Sequence, residues 1–235
     1  MPRVPGAAFH AAPRPGHDSE MPLQNRVTPF GDLVAVSARG LFMGNRGGRI
    51  HRDDRTLGAR RWTSRQWICC VTQFKQRHRA VWGDGYTELF FLDEPTTFAA
   101  GHRPCFECRR RDAVAFAEKW AASRRLRGPP RAPEMDRILH AERLDGRTKR
   151  RHALAIDTLP DAAMLTLPDE PESAFAVRGE RLLQWQPDGY GEQRSRPRGI
   201  RVDVLTPPSI LAVLGQGYRP QWHPSAEAFL AGRRS

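Results

Sequence analysis

The string Gly101-His-Arg-Pro-Cys-Phe-Glu-Cys-Arg-Arg110 constrains this chain more than any other segment. Two cysteines separated by two residues, at a turn running into a helix, can aim both sulfurs at one metal ion. The helix N-terminus and the neighbouring arginines favour the thiolate form that a soft metal requires. The remaining cysteines, Cys69 and Cys70, are adjacent within residues 66–74 (QWICCVTQF), a run of strand composition. Neighbouring strand residues face opposite sides, so one of the pair reaches the metal, and Cys70 is the expected one. The fourth ligand is then a histidine, with His51, His78 and His102 as candidates, or Cys69 across a local bulge. The expected ligand set is Cys70, Cys105 and Cys108 with His51 or Cys69, and the expected ion is zinc. Four cysteines in 235 residues do not make a disulfide scaffold. Without a legible export signal they point to a reducing cytoplasm, where clustered thiols bind metal or do redox work.

Around this string the pattern predicts an α+β protein: an antiparallel sheet, a zinc knuckle leading into a helix, then a smaller mixed C-terminal part. Residues 33–43 read as strand, turn and strand; 66–74 and 86–93 supply two more strands. Asp93 is placed to cap a short helix that Gly101 ends, and the best helical periodicity follows the cysteines, with Val114, Phe116, Ala117 and Trp120 apolar. A second helix is expected from PEMDRILHAERL, and a hairpin about Arg178-Gly179. EQRSRPRG (192–199) reads as a mobile link, followed by a strand (RVDVL) and a helix opened by Pro207-Pro208. The expected division is a disordered tail over 1–20, with Met21 an alternative start, a sheet-and-helix unit over 21–130, and an α+β region over 131–235. No stretch approaches the ~18 apolar residues of a membrane span.

The charge is lopsided: 38 Lys+Arg against 26 Asp+Glu gives +12. Between Arg39 and Arg79 eleven basic residues meet two aspartates, interleaved with Trp62, Trp67 and Phe74. Cations for phosphates beside aromatic faces for bases are the ingredients of nucleic-acid binding. The expected contacts are Arg46, Arg49, Arg52, Arg60, Arg61, Trp62, Arg65, Lys75 and Arg77, joined through the metal by Arg103, Arg109 and Arg110. DNA is favoured over RNA as the partner, and no membrane partner is expected.

The stretch LFMGNRGGRIH, with TELFFLDEPTTFAAGHRPCFECRR after it, resembles the Ada-type metal-binding domain in about 70 of 235 residues. Gly44, Asn45 and His51 match its early turn; Ala99, Ala100, Gly101, Arg103, Pro104, Cys105, Cys108 and Arg109 match its cysteine string. The resemblance implies a zinc thiolate site and a link to DNA repair or damage sensing. It does not carry over the family's methyl transfer to a thiolate. That chemistry uses four convergent sulfurs, and this chain has Arg52-Asp53-Asp54 where the family's first cysteine pair belongs.

A binding module with a closed, structural zinc is thus the reading, weighed against an enzyme acting on nucleic acid or nucleotides. PCFEC matches half of the nucleoside-deaminase signature, and His140-Ala141-Glu142 supplies an H-x-E in reversed order. Glu88, Asp93 and Glu94 with Asp53 and Asp54 are the carboxylates a nuclease could use for Mg²⁺. His223 and Tyr218-Arg219 are further pocket candidates. The third class is a thiol redox protein using Cys105 and Cys108.

Overall fold

A computed structural model describes residues 21–76 and 80–228. The expected tail over 1–20, and Arg77 and His78, lie outside the described residues. The fold is α+β, built on two six-stranded sheets and a helical layer. No helix of the described chain is long and apolar enough to cross a membrane.

The first sheet collects β1 (Gln24–Val27), β2 (Leu33–Ala35), β3 (Phe42–Asn45), β4 (Ile68–Val71) and β5 (Leu89–Phe91). It is closed at one edge by β6 (Arg103–Pro104), giving the order β2-β1-β5-β3-β4-β6. The expected antiparallel core is there, since β3 pairs antiparallel with both β4 and β5. The sheet as a whole is mixed, because β1 joins β5 and β6 joins β4 in parallel. Alternation sorts its side chains: Phe42, Cys69, Leu89 and Phe91 enter one buried cluster with Val27 and Leu33. Met43, Asn45, Ile68, Cys70, Glu88 and Phe90 line a cavity instead.

Between the last two strands of this sheet lies α1 (Glu94–Ala99), and its signals are local. Asp93 is extended and its carboxylate accepts from Thr96 N–H at 3.0 Å; Pro95 stands in the first turn, where a missing N–H costs nothing. Gly101 takes φ +81° just past the end, a conformation costly for any side chain. α2 (Arg110–Ser123) starts well after Pro104, because Pro104 is held in β6. Its buried stripe is Ala113, Phe116, Ala117, Trp120 and Ala121, while Val114 faces solvent. α3 (Ala132–Arg143) opens with Glu134 accepting from the Arg131 N–H. These helices share one core with α4 (Pro208–Gly215): Phe98, Phe116, Trp120, Met135, Leu139, Ile210 and Val213 pack together. That core draws on residues from both sides of position 130.

A small hairpin, β7 (Leu144–Asp145) with β8 (Thr148–Lys149), leads into the second sheet. This sheet comprises β9 (His152–Ala155), β10 (Met164–Leu167), β11 (Glu170–Arg178), β12 (Arg181–Gln186), β13 (Gly189–Ser195) and β14 (Arg201–Val204). It is wholly antiparallel, in the order β13-β12-β11-β10-β14-β9. Its central strand β10 is buried at all four positions. The C-terminal part is therefore no smaller in strands than the N-terminal one. The first half of the expected mobile link over 192–199 belongs to β13, whose Arg194 and Ser195 pair with Leu182 and Arg181. Propensity is weak there, but the ladder with an apolar neighbour strand supplies the order. α5 (Ser225–Ala228) ends the described chain.

Gly101 is a stringent point in this packing. A Cβ there would come within 2.6 Å of Arg143 Cδ and 2.7 Å of its Cβ. Gly179, in the β11–β12 turn at φ +57°, has open space around it. Gly101→Ala should therefore cost roughly 2–4 kcal/mol, combining positive-φ strain with overpacking, and Gly179→Ala about 1 kcal/mol. Urea unfolding of both variants checks the difference; equal losses would show that Arg143 yields freely.

Candidate metal centre

Three of the predicted ligands meet. The Sγ atoms of Cys70, Cys105 and Cys108 lie within 4.8 Å of one another. The cause is the parallel β4–β6 pairing: Arg103 N–H donates to Trp67 O at 3.1 Å and Cys105 N–H to Cys69 O at 2.9 Å. These bonds lay the CxxC turn alongside β4, and Arg109 N–H closes the turn onto Cys105 O at 3.0 Å. Glu107 N–H donates to Cys105 Sγ at 3.4 Å, the backbone-to-sulfur bond that stabilises a thiolate at such a turn.

The trio shares its protons. Hydrogen bonds from the Cys108 and Cys70 thiols hold the Cys105 thiol far below its ordinary pKa, with backbone N–H groups adding to the effect. Those same contacts with Cys105 push Cys70 and Cys108 up, and burial adds to both. The donor set fits a soft divalent ion. In a tetrahedron of ~2.3 Å metal–sulfur bonds the sulfurs stand about 3.8 Å apart, a contraction of about 1 Å at most from the present spacing.

Cys69 does not join. Strand alternation turns it into the core, where Arg109 donates to its sulfur at 3.2 Å and burial pushes its thiol up to about 12. His51 does not join either. Its ring stacks on Trp82 at 5.2 Å, Nε2–H donates to Gly83 O at 3.0 Å, and Nδ1 accepts from Thr87 Oγ1 at 2.7 Å. With both nitrogens engaged no lone pair is left for a metal. His102 is fully buried against Trp67 and Phe91, on the opposite face from the thiols. Among the described residues the metal group is therefore three cysteines.

The trio is not sealed. It lines a cavity of about 790 Å³ whose walls include Glu88, Asn45, Tyr86 and Lys75. Glu88, buried, accepts from Trp82 N–H at 2.8 Å through one carboxylate oxygen. Nothing in the sequence marked Glu88 beyond its being one of several carboxylates. The signal was its strand parity with Cys70, which needs the β3–β4–β5 pairing to be known.

The predicted nucleic-acid residues divide. Arg46, Arg103 and Arg109 are buried. Arg103 makes a two-pronged pair with Asp136 at 2.8 and 2.7 Å. Arg109 binds Glu94 and Asp112, each at 2.7 Å, and lies over Phe42. Neither is available to a partner, so of the three CxxC arginines only Arg110 remains exposed to extend the basic face. Arg52, Arg60, Arg61, Arg65, Lys75 and Arg110 are exposed, and Arg49 and Trp62 half-buried. The deaminase-like Glu142 is engaged elsewhere: it accepts from Ser209 N–H at 2.9 Å and Ser209 Oγ at 2.6 Å, capping α4. Asp93 and Glu94 are committed to buried hydrogen bonds; Asp53 pairs with Arg49 and Asp54 accepts from Thr56 on the surface. His223 and Tyr218 serve the Asp93–Glu94 network through a backbone N–H and a phenol.

Comparison with known proteins adds no identity: no family model, no curated protein and no solved structure matches this chain.

The geometry makes a selective prediction. Cys70→Ser and Cys105→Ser should each abolish stoichiometric metal binding, whereas Cys69→Ala should retain one ion per chain and lose only stability. Native mass spectrometry of the three variants reads this directly, and metal loss on Cys69→Ala would contradict the facing assigned to β4.

Proposed function

We propose that this is a zinc protein that binds nucleic acid, the ion joining the CxxC turn to β4 and an arginine-rich loop making the phosphate contacts. One observation carries it: three thiols from segments thirty-five residues apart converge within 4.8 Å. Such a set holds zinc well, and zinc bound there would tie the turn after the edge strand β6 to its neighbour β4, which otherwise meet through a two-residue pairing. The nucleic-acid half is supported by the exposed Arg52, Arg60, Arg61 and Arg65 around Trp62, and by the net charge of +12. DNA is the preferred partner, with repair or damage sensing as the setting that the Ada-type resemblance implies.

The test is binding to a single-stranded DNA oligonucleotide by fluorescence anisotropy over a range of salt. Affinity should fall steeply with salt, and Arg60→Ala with Arg65→Ala should flatten the log–log slope by roughly 0.7 for each phosphate contact removed. A salt-insensitive or absent interaction, in protein shown to carry its metal, would overturn the nucleic-acid half and leave the metal half standing.

A second reading is favoured by the cavity. Three protein ligands leave a fourth position open, the arrangement of hydrolytic rather than structural zinc, and Glu88 lines that same cavity. Zinc there would supply a polarised water, and Glu88 would hold its proton. Glu88→Gln should then abolish turnover of a nucleotide or oligonucleotide substrate while metal content stays at one ion per chain. Wild-type protein that is metal-loaded but turns over no member of a nucleotide panel would dismiss this reading.

A further inference from the structure

On the face of the first sheet turned away from the thiols, Trp67 carries two guanidinium groups over its ring. Arg46 Cζ lies 4.1 Å from the ring centroid and Arg143 Cζ 3.8 Å. Both arginines are almost wholly buried, at 2% and 1% exposure. Together with Lys149 they line a cavity of about 650 Å³.

All three cations have neutral partners. Arg46 donates to the carbonyl oxygens of Gly31 at 2.8 Å and Arg61 at 3.5 Å. Arg143 donates to Gly101 O at 2.9 Å, Arg65 O at 2.8 Å and His140 Nδ1 at 2.8 Å. Lys149 donates to Ala99 O. Among the described residues none of the three forms an ion pair, and Nε of both arginines has no partner at all. The same protein treats its other buried arginines differently. Arg103 has Asp136, and Arg109 has Glu94 and Asp112. Buried cations without a carboxylate are costly, so three around one cavity leave a charge deficit that a ligand can fill. The wider wall repeats the imbalance, with six cations against Asp32 and Glu172.

We propose that this cavity is a binding site for a phosphate-class oxyanion, held by Arg46, Arg143 and Lys149. The cavity exceeds what one phosphate fills, and Trp62, half-buried on its wall, offers an aromatic face to a planar group attached to that phosphate. The site stands on different residues from the candidate metal centre and on the opposite side of the sheet, so it is independent of the metal. It shares Arg61 and Trp62 with the proposed nucleic-acid face, and a test with free phosphate and a mononucleotide lets it hold or fail separately from oligonucleotide binding.

Titration adds a signature. Burial, reinforced by the neighbouring arginines, brings Lys149 down to about 7; burial and Arg46 bring Arg143 down to about 8; burial brings Arg46 down to about 9 against an opposing effect of Asp32. His102 is held neutral chiefly by burial, and His140 is lowered likewise, so neither supplies charge. The other charged groups facing the three are Arg61 and Asp32 at the sheet end, Arg147 and Arg151 beside Lys149, Glu172 on β11, and Arg103, already paired with Asp136. The folded pKa of Lys149 lies below its unfolded value of about 10.4, so the unfolded chain binds more protons between these limits. The ligand-free protein therefore gains stability as pH rises through that window. A bound oxyanion favours the protonated cations, so its affinity should fall as pH rises above about 7.

The experiment is calorimetric titration with inorganic phosphate and, separately, adenosine monophosphate, against chloride at matched ionic strength, with thermal unfolding in parallel. Either phosphate should bind and raise the midpoint where chloride does not, and affinity should weaken with rising pH. Tighter binding of the nucleotide would assign the Trp62 wall to its base; equal binding would assign the site to the phosphate alone. Lys149→Met should weaken binding about tenfold or more, the worth of one charge-assisted hydrogen bond, and leave the phosphate-free protein at least as stable as wild type. If Lys149 were only a strut for the Ala99 carbonyl, the variant would lose stability and keep the wild-type phosphate response. That result, or a wild-type protein indifferent to both phosphates, overturns the site.

Discussion

The carboxylates of Asp93 and Glu94, side by side at the start of α1 and almost entirely buried, are where the two halves of the chain are joined. Burial raises the pKa of both, and the hydrogen bonds they collect oppose it. Asp93 accepts from Thr96, from the Tyr190 phenol at 2.8 Å and from His223 N–H at 3.2 Å. Glu94 accepts from Arg109 at 2.7 Å, the Tyr218 phenol at 3.0 Å and Gln221 N–H at 2.7 Å. A buried carboxylate is tolerable only when its oxygens are satisfied, so each of these donors from the C-terminal half is needed where it stands. Arg109 continues the network to Asp112 on α2 and to the sulfur of Cys69 on β4. Helix cap, helical core and sheet thus share one set of polar contacts, and the thiol trio that could hold a metal begins one residue beyond its end.

Strand alternation then divides the chemistry. Cys70, Glu88 and Asn45 face one cavity, whereas Trp67, with Arg46 and Arg143 over its ring, faces another on the far side. A thiol trio that could hold a metal ion and a cation cluster are kept apart by one layer of backbone. Their separation has an electrostatic logic, since a thiolate beside those cations would pair with them and remove the unmatched charge on which the proposed anion site depends.

Much of the local structure was legible from residue chemistry. Asp93, Pro95 and Gly101 announce α1 without help from the rest of the chain, and the α2 stripe declares its period. The choice of Cys70 over Cys69 was half legible: alternation said that one would serve, but which one depends on the face that β3 and β5 cover. What sequence could not reveal was the fate of the arginines. In a chain with 38 basic residues every Arg looks like surface. Only the fold shows that Arg103 and Arg109 meet carboxylates from α3 and α1, or that Arg46 and Arg143 meet over one indole from positions nearly a hundred residues apart. β13 escaped for a related reason, since its residues are ordered by the strand beside them and not by their own preference.

The parallel β4–β6 contact has a consequence for the order of events during synthesis. Cys70 is made thirty-five residues before Cys105, on a strand whose neighbour β6 is only two residues long. A growing chain that has emitted β3, β4 and even β5 owns just one thiol of the set and can offer no chelate. Any ion held by the trio would therefore wait for α1 to fold and swing the CxxC turn back against β4, a loop closure that local structure cannot shortcut. The ion would act as a latch on topology: a chain that threads β6 along the wrong edge keeps its cysteines apart and stays empty.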